Sequence, residues 1–361
     1  MRLQCDLVGH KHAVSCVKFS KDNKMIASCS ADTTVRVWES GRSDGCWGPA
    51  EGEEQQQQQQ QQQTAATAEN ADDNGENGHT NGEVRSPSMS AKIIFKGHEA
   101  GVNAVAWDPT SKYIVSASDD KTLIVWSIET RDKVLTLEGH TTYVFCCCFN
   151  PSGTIIASGS YDETIRLWSV KDGKCMRELP AHSDPVTSVD FSGNGTMLVS
   201  SSHDGMCRVW DTANGHCFKS LINENCPPVA FALFSPNSKF ILVGTLDGHI
   251  CLWSYISDVK VMKTFKGHRN EKYCIAADFL VYNKENQNIK AIVSGSEDGS
   301  IVIWDLKSRE PLLRIPAGNA NVVGATSPGH TDVVITVSSN DNCEIASSGF
   351  DNVIKVWGRQ K

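Results

Sequence analysis

The chain has 361 residues, 40% of them hydrophobic, which is enough for a sizeable core, and a formal net charge of −8. That charge argues against wholesale binding to nucleic-acid phosphate, and no apolar run approaches the roughly 18 residues of a membrane span. The opening MRLQCDLVGH lacks the apolar core of a signal peptide, so the 14 cysteines are expected as reduced thiols inside the cell. No two of them have C-x-x-C spacing, which leaves zinc-ribbon and thioredoxin readings without support.

A short strand, RLQCDL, comes first and is followed by a Gly-His pair ending at His10. Next come an apolar strand (AVSCVKF), a turn (SKDN), a small-residue strand (MIASCS) and a strand, TTVRVW, ending at Trp38. Residues 41–90 then change character: nine glutamines run from Gln55 to Gln63 and are followed by small, polar and acidic residues. Such a segment buries too little apolar area to offset its conformational entropy. It is expected to be a disordered insertion, dispensable for folding.

The pattern resumes after the insertion and repeats to the end. Seven strings end in tryptophan, at Trp38, Trp126, Trp168, Trp210, Trp253, Trp304 and Trp357, and an aspartate lies six residues before each: Asp32, Asp120, Asp162, Asp204, Asp247, Asp298 and Asp351. His10, His98, His140 and His182 lie 28 residues before their tryptophans, whereas His268 and His330 lie at 36 and 27. Gly-His opening and Trp closing a unit of 42 to 43 residues is the WD-repeat signature. Four short strands per unit predict an all-β, seven-bladed propeller with four antiparallel strands per blade. Residues 1–40 then hold the closing strand and most of blade one, residues 41–90 the insertion, and residues 91–361 the rest of the propeller. The last unit ends after a third strand, so RLQCDL is expected to complete blade seven and remove open strand edges. The glutamine tract and the extra NKENQN of blade six belong on the face opposite the Gly-His turns, and GNANVVGATSPGH on the Gly-His face.

In WD repeats the His, the Asp, a Ser or Thr and the Trp indole form a buried hydrogen-bonded chain. Ser28, Ser116, Ser158, Ser200, Ser294 and Ser347, four residues before their aspartates, fill the serine position. Blade five has Asn225 and Val243 at the His and Ser positions, a joint loss that suits an all-or-none network. These histidines read as structural, and they stand on separate blades where no metal site forms.

LEGHTTYVFCCCF opens blade three. Side chains on a strand alternate, so Cys146 and Cys148 share one side and Cys147 faces the other; buried thiols packed between blades explain them better than redox or metal chemistry. Phe145 is the odd member of a ring otherwise made of Ser15, Asn103, Thr187, Ala230, Ile335 and, one residue later, Cys274. It either walls a narrow hole at the channel mouth or plugs the channel.

TYVFCCCFNPSGTIIASGSYDETIRLW, LPAHSDPVTSVDF, SSSHDGMCRVWDTANGHC, PVAFALFSPNSKFIL and GHRNEKYC resemble the WD-repeat-containing protein five family, the propeller subunits of MLL- or COMPASS-type histone methyltransferase complexes. The resemblance covers nearly the whole chain outside the inserts. It implies a nuclear, non-catalytic scaffold without cofactor or metal, monomeric within a hetero-complex. One face of such a propeller takes an arginine-containing peptide of the catalytic subunit or the histone H3 tail. A cleft on the other face takes an acidic-hydrophobic peptide of a further core-complex subunit. Carried over by position, the arginine site keeps Phe145, Tyr143, Asp119, Tyr273, Cys274 and Ala31. Asn103, Thr187 and Ala230 stand for serines, His203 for an aromatic and Tyr161 for a phenylalanine. Ala276 stands where the family has a second clamping phenylalanine. The cleft keeps Asn237, Leu252, Lys263, Phe279 and Val281, with Phe240 and Met262 as conservative changes and Lys307 for a glutamine. The competing reading is an adaptor of another complex, such as a ubiquitin-ligase substrate receptor or a signalling scaffold. No carboxylate pair, Ser-His-Asp arrangement or phosphate loop stands outside the repeat positions to suggest an enzyme.

Overall fold

The computed structural model describes residues 1–41, 47–48, 88–223, 225–256, 258–284, 287–318 and 329–358. All regular structure among them is β-strand, in seven sheets that follow one another around a ring. The innermost strands are Val14–Phe19, Val102–Trp107, Val144–Phe149, Val186–Phe191, Val229–Phe234, Ala277–Lys284 and Val334–Ser339. Each pairs antiparallel with the next strand outward, and the chain is a seven-bladed β-propeller.

Composition tracks radial position. Second strands such as Ile155–Ser160 are covered on both faces by adjoining blades, which suits Ala, Ser and Gly. A Cβ on Gly159 would stand 2.8 Å from the Cys146 sulfur and collide with Val186, so only glycine lets the next blade approach this closely. The seven repeat tryptophans are all buried. Outer strands keep one or two buried anchors apiece, such as Leu179 within an otherwise exposed Cys175–Pro180.

Closure follows the expected route. Arg2–Leu7 pairs antiparallel with Ile354–Gly358 as the fourth strand of blade seven, with Cys5 and Leu7 buried and Lys355 bonded to Asp6 at 3.1 Å. Blade seven also carries a fifth strand, Ser88–Met89, parallel to the closing strand. This amends the expected limits of the insertion. Trp47 is buried, packs edge-on against Phe19 at 5.9 Å, and donates its backbone N–H to Gln4 at 3.0 Å. Trp47 and Met89 belong to one apolar cluster at the seam of blades one and seven, with Cys5, Leu7, Trp38 and Val356. An indole buries more apolar area than any other side chain, so one tryptophan anchors a segment whose average composition is polar. The glutamine run itself lies outside the described residues. In blade six the NKENQN insert prolongs a hairpin, paired out to Lys284 and Gln287. Residues 319–328 of the stretch before blade seven lie outside the described residues.

Five blades hold the complete hydrogen-bonded chain. In blade three, His140 meets Asp162 at 2.9 Å and Ser158 at 2.7 Å, and the Trp168 indole donates to Ser158 at 2.8 Å. His10, His98, His182 and His330 repeat it. Burial disfavours the charge of Asp32, Asp120 and Asp162, but the bonds they accept outweigh it and hold these carboxyls well below the usual range.

Blade six corrects the all-or-none expectation: its His268, Ser294, Asp298 and Trp304 are all present yet unconnected. The Trp304 indole donates to the Lys266 carbonyl at 2.9 Å, Ser294 bonds Gly295, and Asp298 pairs with Arg314. The turn after His268 is longer, and its N–H groups bond differently: the N–H after the histidine goes to the repeat aspartate in the five intact blades, but Arg269 donates to Ser296 and residues 271–273 to Glu297. His268 and the neighbouring Asn270 remain buried with no partner on any side-chain nitrogen or oxygen.

Two outcomes follow. In urea or thermal unfolding, His140→Leu should cost about 2–3 kcal/mol because it strands buried partners, whereas His268→Leu should be neutral or mildly stabilising. Burial holds His10, despite Asp32, and His268 near pH 4 against an ordinary 6.5. The unfolded chain therefore binds more protons between those values, and stability should fall as pH drops from about 6.5 toward 4, less steeply in His268→Leu. Separately, Trp47→Ala should cost about 3 kcal/mol. Joining residue 48 to residue 87 by a short Gly-Ser turn should move the melting temperature little, since closure entropy changes by only about 0.6 kcal/mol per halving of loop length. A large drop on that excision, or none with Trp47→Ala, would contradict the anchoring described here.

Candidate functional site

The channel mouth is built by one irregularity repeated around the ring. In six blades the innermost strand carries a β-bulge after its first residue. The skipped residues are Ser15, Asn103, Phe145, Thr187, Ala230 and Ile335, the ring identified from sequence. A bulge re-aims a side chain out of the alternating pattern, so these residues turn toward the mouth together. Blade six has no such bulge; Cys274 and Ala276 precede its first strand, and the Ala276 N–H donates to Ile335 of blade seven at 3.0 Å.

A second tier is set by backbone alone. In six blades the residue before the repeat aspartate donates its N–H to the carbonyl just ahead of the innermost strand: Ala31, Asp119, Tyr161, His203, Leu246 and Phe350; in blade six Glu297 donates instead to Arg269, next to His268 and well ahead of Ala277. Four of these were selected from sequence, and Leu246, Glu297 and Phe350 were passed over. The signal was available in the spacing, one residue before each Asp.

The candidates meet in groups. Asn103 donates to Asp119 at 2.7 Å and to the Val144 carbonyl of the next blade at 3.0 Å, and Ala31 lies beside Asp119 across Gly101. Tyr161 stands 5.9 Å from Phe145 and 6.2 Å from Tyr143, and both tyrosines are about half exposed (51% and 50%). Thr187 bonds Ser201 and the Val229 carbonyl of blade five. His203 Nε2 lies 3.4 Å from the Cys274 sulfur, reaching across blade five and its small Ala230. Partial desolvation lowers the His203 pKa against the pull of Asp184, and the Cys274 thiol is raised to about 11 by desolvation of its sulfur although the residue as a whole is exposed, so the two meet as neutral imidazole and thiol. Tyr273 packs edge-to-face with Phe350 at 4.9 Å and 89°. The Glu297 carboxylate accepts the N–H groups of Glu271, Lys272 and Tyr273, which fixes the loop that carries Tyr273.

Aromatic faces next to a carboxylate suit a cation. Deeper in the channel, Asp190 accepts the Phe234 N–H and Asp278 the Ser339 N–H, each from the following blade. Burial raises Asp190 to about 6. Burial opposes the Lys18 charge, but Cys16, Asp278 and Asp190 together hold that ammonium above its ordinary range. The three cysteines of blade three take the sides expected: Cys146 and Cys148 pack toward blade four and Cys147 toward blade two. Burial pushes all three thiols up, Cys146 to about 12. Among the described residues no three His, Cys, Asp or Glu side chains are placed to hold a metal ion.

On the opposite face, Phe240, Leu252 and Phe279 share one apolar cluster with Leu306 between blades five and six. The Lys263 ammonium donates to the Leu306 and Lys307 carbonyls at 2.6 and 3.2 Å, stitching the two blades along this slot. Met262 and Val281 are exposed at 46% and 41%. Asn237 stands exposed on the turn leading to Phe240, and its Oδ1 holds that turn by accepting from Ser235 and from the Lys239 N–H.

Comparison with known proteins gives the following. The family described as the WDR5 beta-propeller domain matches residues 84–358, and the WD domain, G-beta repeat matches residues 1–39. A WD repeat-containing protein 26 homolog of Arabidopsis thaliana is 30% identical over 138 residues, 38% of this chain and 21% of that protein. A WD repeat-containing protein WDS homolog of the same plant is 31% identical over 143 residues, 39% of this chain and 24% of the relative. Its Cell division cycle 20.1, cofactor of APC complex, is 26% identical over 139 residues, 38% and 26% of the two chains. The matched segments thus span about a fifth to a quarter of these relatives.

Proposed function

The chain belongs to the WDR5 β-propeller family, and from that premise we propose that it is a scaffold subunit of a histone H3 lysine-four methyltransferase complex. In this reading it works in the nucleus as a single copy within a hetero-complex and contributes no catalysis. The observation that carries the proposal is the blade-three trio, Phe145, Tyr143 and Tyr161, open at the channel mouth with Asp119 nearby and oriented by Asn103. A planar guanidinium stacks on such rings and donates to such a carboxylate. The arginine comes from the catalytic subunit or from the H3 tail. The slot between blades five and six takes an acidic-hydrophobic segment of a further subunit: Phe240, Leu252 and Phe279 floor it, Val281 and Met262 offer exposed apolar contact, and Lys263 and Lys307 supply positive charge. The two sites lie on opposite faces, so one propeller holds both partners at once.

One of the relatives is named as a cofactor of a different assembly, the APC complex. Ala276 in the mouth favours this second reading, in which the ring is an adaptor for a different complex. Affinity capture of the tagged chain from its own cells, with the captured proteins identified by mass spectrometry, separates the two. Methyltransferase subunits support the proposal; ligase subunits without them would overturn it.

Variants on each face should act independently. Phe145→Ala should weaken binding of an arginine-containing histone H3 tail peptide about tenfold, equivalent to about 1.4 kcal/mol, and leave capture of the core subunit intact. Val281→Asp should do the reverse, since a carboxylate in an apolar slot repels an acidic segment. Calorimetric titration and capture of both variants read the two effects.

A further inference from the structure

We infer that Phe350, braced by Tyr273, is the second aromatic wall of the cation site and the residue that makes the site select arginine over lysine. This rests on the reading of the mouth as an arginine site. In a seven-bladed ring the direction opposite blade three is the seam between blades six and seven. That seam is where Tyr273 and Phe350 meet, 4.9 Å apart and at 89°. Phe350 occupies in blade seven the place that Tyr161 occupies in blade three. Each is the residue before the repeat aspartate, and each donates its N–H to the carbonyl ahead of the innermost strand, Phe350 to Val333 at 3.1 Å and Tyr161 to Tyr143 at 2.9 Å. The two rings are therefore delivered to the same tier of the mouth from opposite sides.

Three features define the seam wall. Glu297 takes the N–H groups of residues 271–273, so the Tyr273 loop is fixed before any ligand arrives. Phe350 is only partly buried. Ala276, tied by its N–H to Ile335 at the same seam, presents only a methyl group. A guanidinium stacked on Phe145 turns its other flat face toward this seam. A lysine ammonium is tetrahedral and has no flat face to lie between two rings, so loss of the seam wall penalises arginine more than lysine.

The test titrates the full chain with a ten-residue amino-terminal histone H3 peptide and with the same peptide carrying lysine in place of its arginines. Wild type, Phe350→Leu, Phe350→Tyr and Phe145→Ala are compared, each first shown by circular dichroism to melt as a folded ring. Phe350→Leu keeps the apolar bulk and removes the ring. It should weaken the arginine peptide about tenfold and the lysine peptide little, while Phe350→Tyr binds as wild type does. If Phe350→Leu binds the arginine peptide like wild type while Phe145→Ala loses it, the second wall is not Phe350 and the inference fails alone. If wild type binds neither peptide, the arginine-site reading falls and this inference falls with it.

Discussion

Everything in this molecule depends on the requirement that each sheet be covered on both faces by its neighbours. A four-stranded sheet standing alone exposes two faces and two edges. Seven of them in a ring cover all the faces, provided the ring closes. Face-to-face burial dictates the small residues of the second strands, the tryptophans that end the third, and the one or two buried anchors to which each fourth strand is reduced. It also traps polar groups between blades, and those must be paired. The His-Ser-Asp-Trp chain meets that demand in five blades. Blade six shows that the ring tolerates one blade in which the chain is present but unconnected, because the tryptophan indole finds a backbone carbonyl instead.

The sequence made the repeat, the closure and the orientation of the three cysteines legible, because each depends on spacing alone. A count of residues from histidine to tryptophan locates the first three strands of the regular blades, and the fourth lies between that tryptophan and the next Gly-His. The ring at the mouth was legible for the same reason, although its cause, a bulge at a constant register, emerges only from the strand pairing. Composition failed at Trp47. A lone indole in DGCWGPA disappears in the average of a polar window, yet burial acts on the side chain and not on the average. Blade six failed differently. Its histidine at 36 residues announced a longer turn, but which acceptors that turn would take over depends on where its N–H groups land in space. Phe350 was passed over because SSGFDNV reads as the approach to Asp351, and a residue flanking a structural position draws little notice.

The two faces differ in how they are built. On the Gly-His face, the residues before the aspartates are held by main-chain bonds that do not depend on side-chain identity, so that tier accepts Ala31, Asp119, Tyr161, His203 or Phe350 equally well. The opposite slot is made of side chains that also hold blades five and six together, among them Leu252, Phe279 and Lys263. Chemistry at the mouth is thus free to vary without disturbing the ring, whereas the slot is coupled to its stability. Five of the seven residues of the mouth tier carry an aromatic, imidazole or carboxylate group.

The insertion leaves the propeller beside Trp47 and returns beside Met89, and both side chains lie in the cluster that also contains Cys5 and Leu7 of the closing strand. In mechanical terms the insert is not hung from a rim but riveted across the joint of a hoop. Tension applied between residues 49 and 87 arrives as a shear along the two-residue parallel pairing of Ser88–Met89 and as a pull on one indole. Blades two to six share no strand with either end, so the load falls on the seam where the first strand of the chain meets the last.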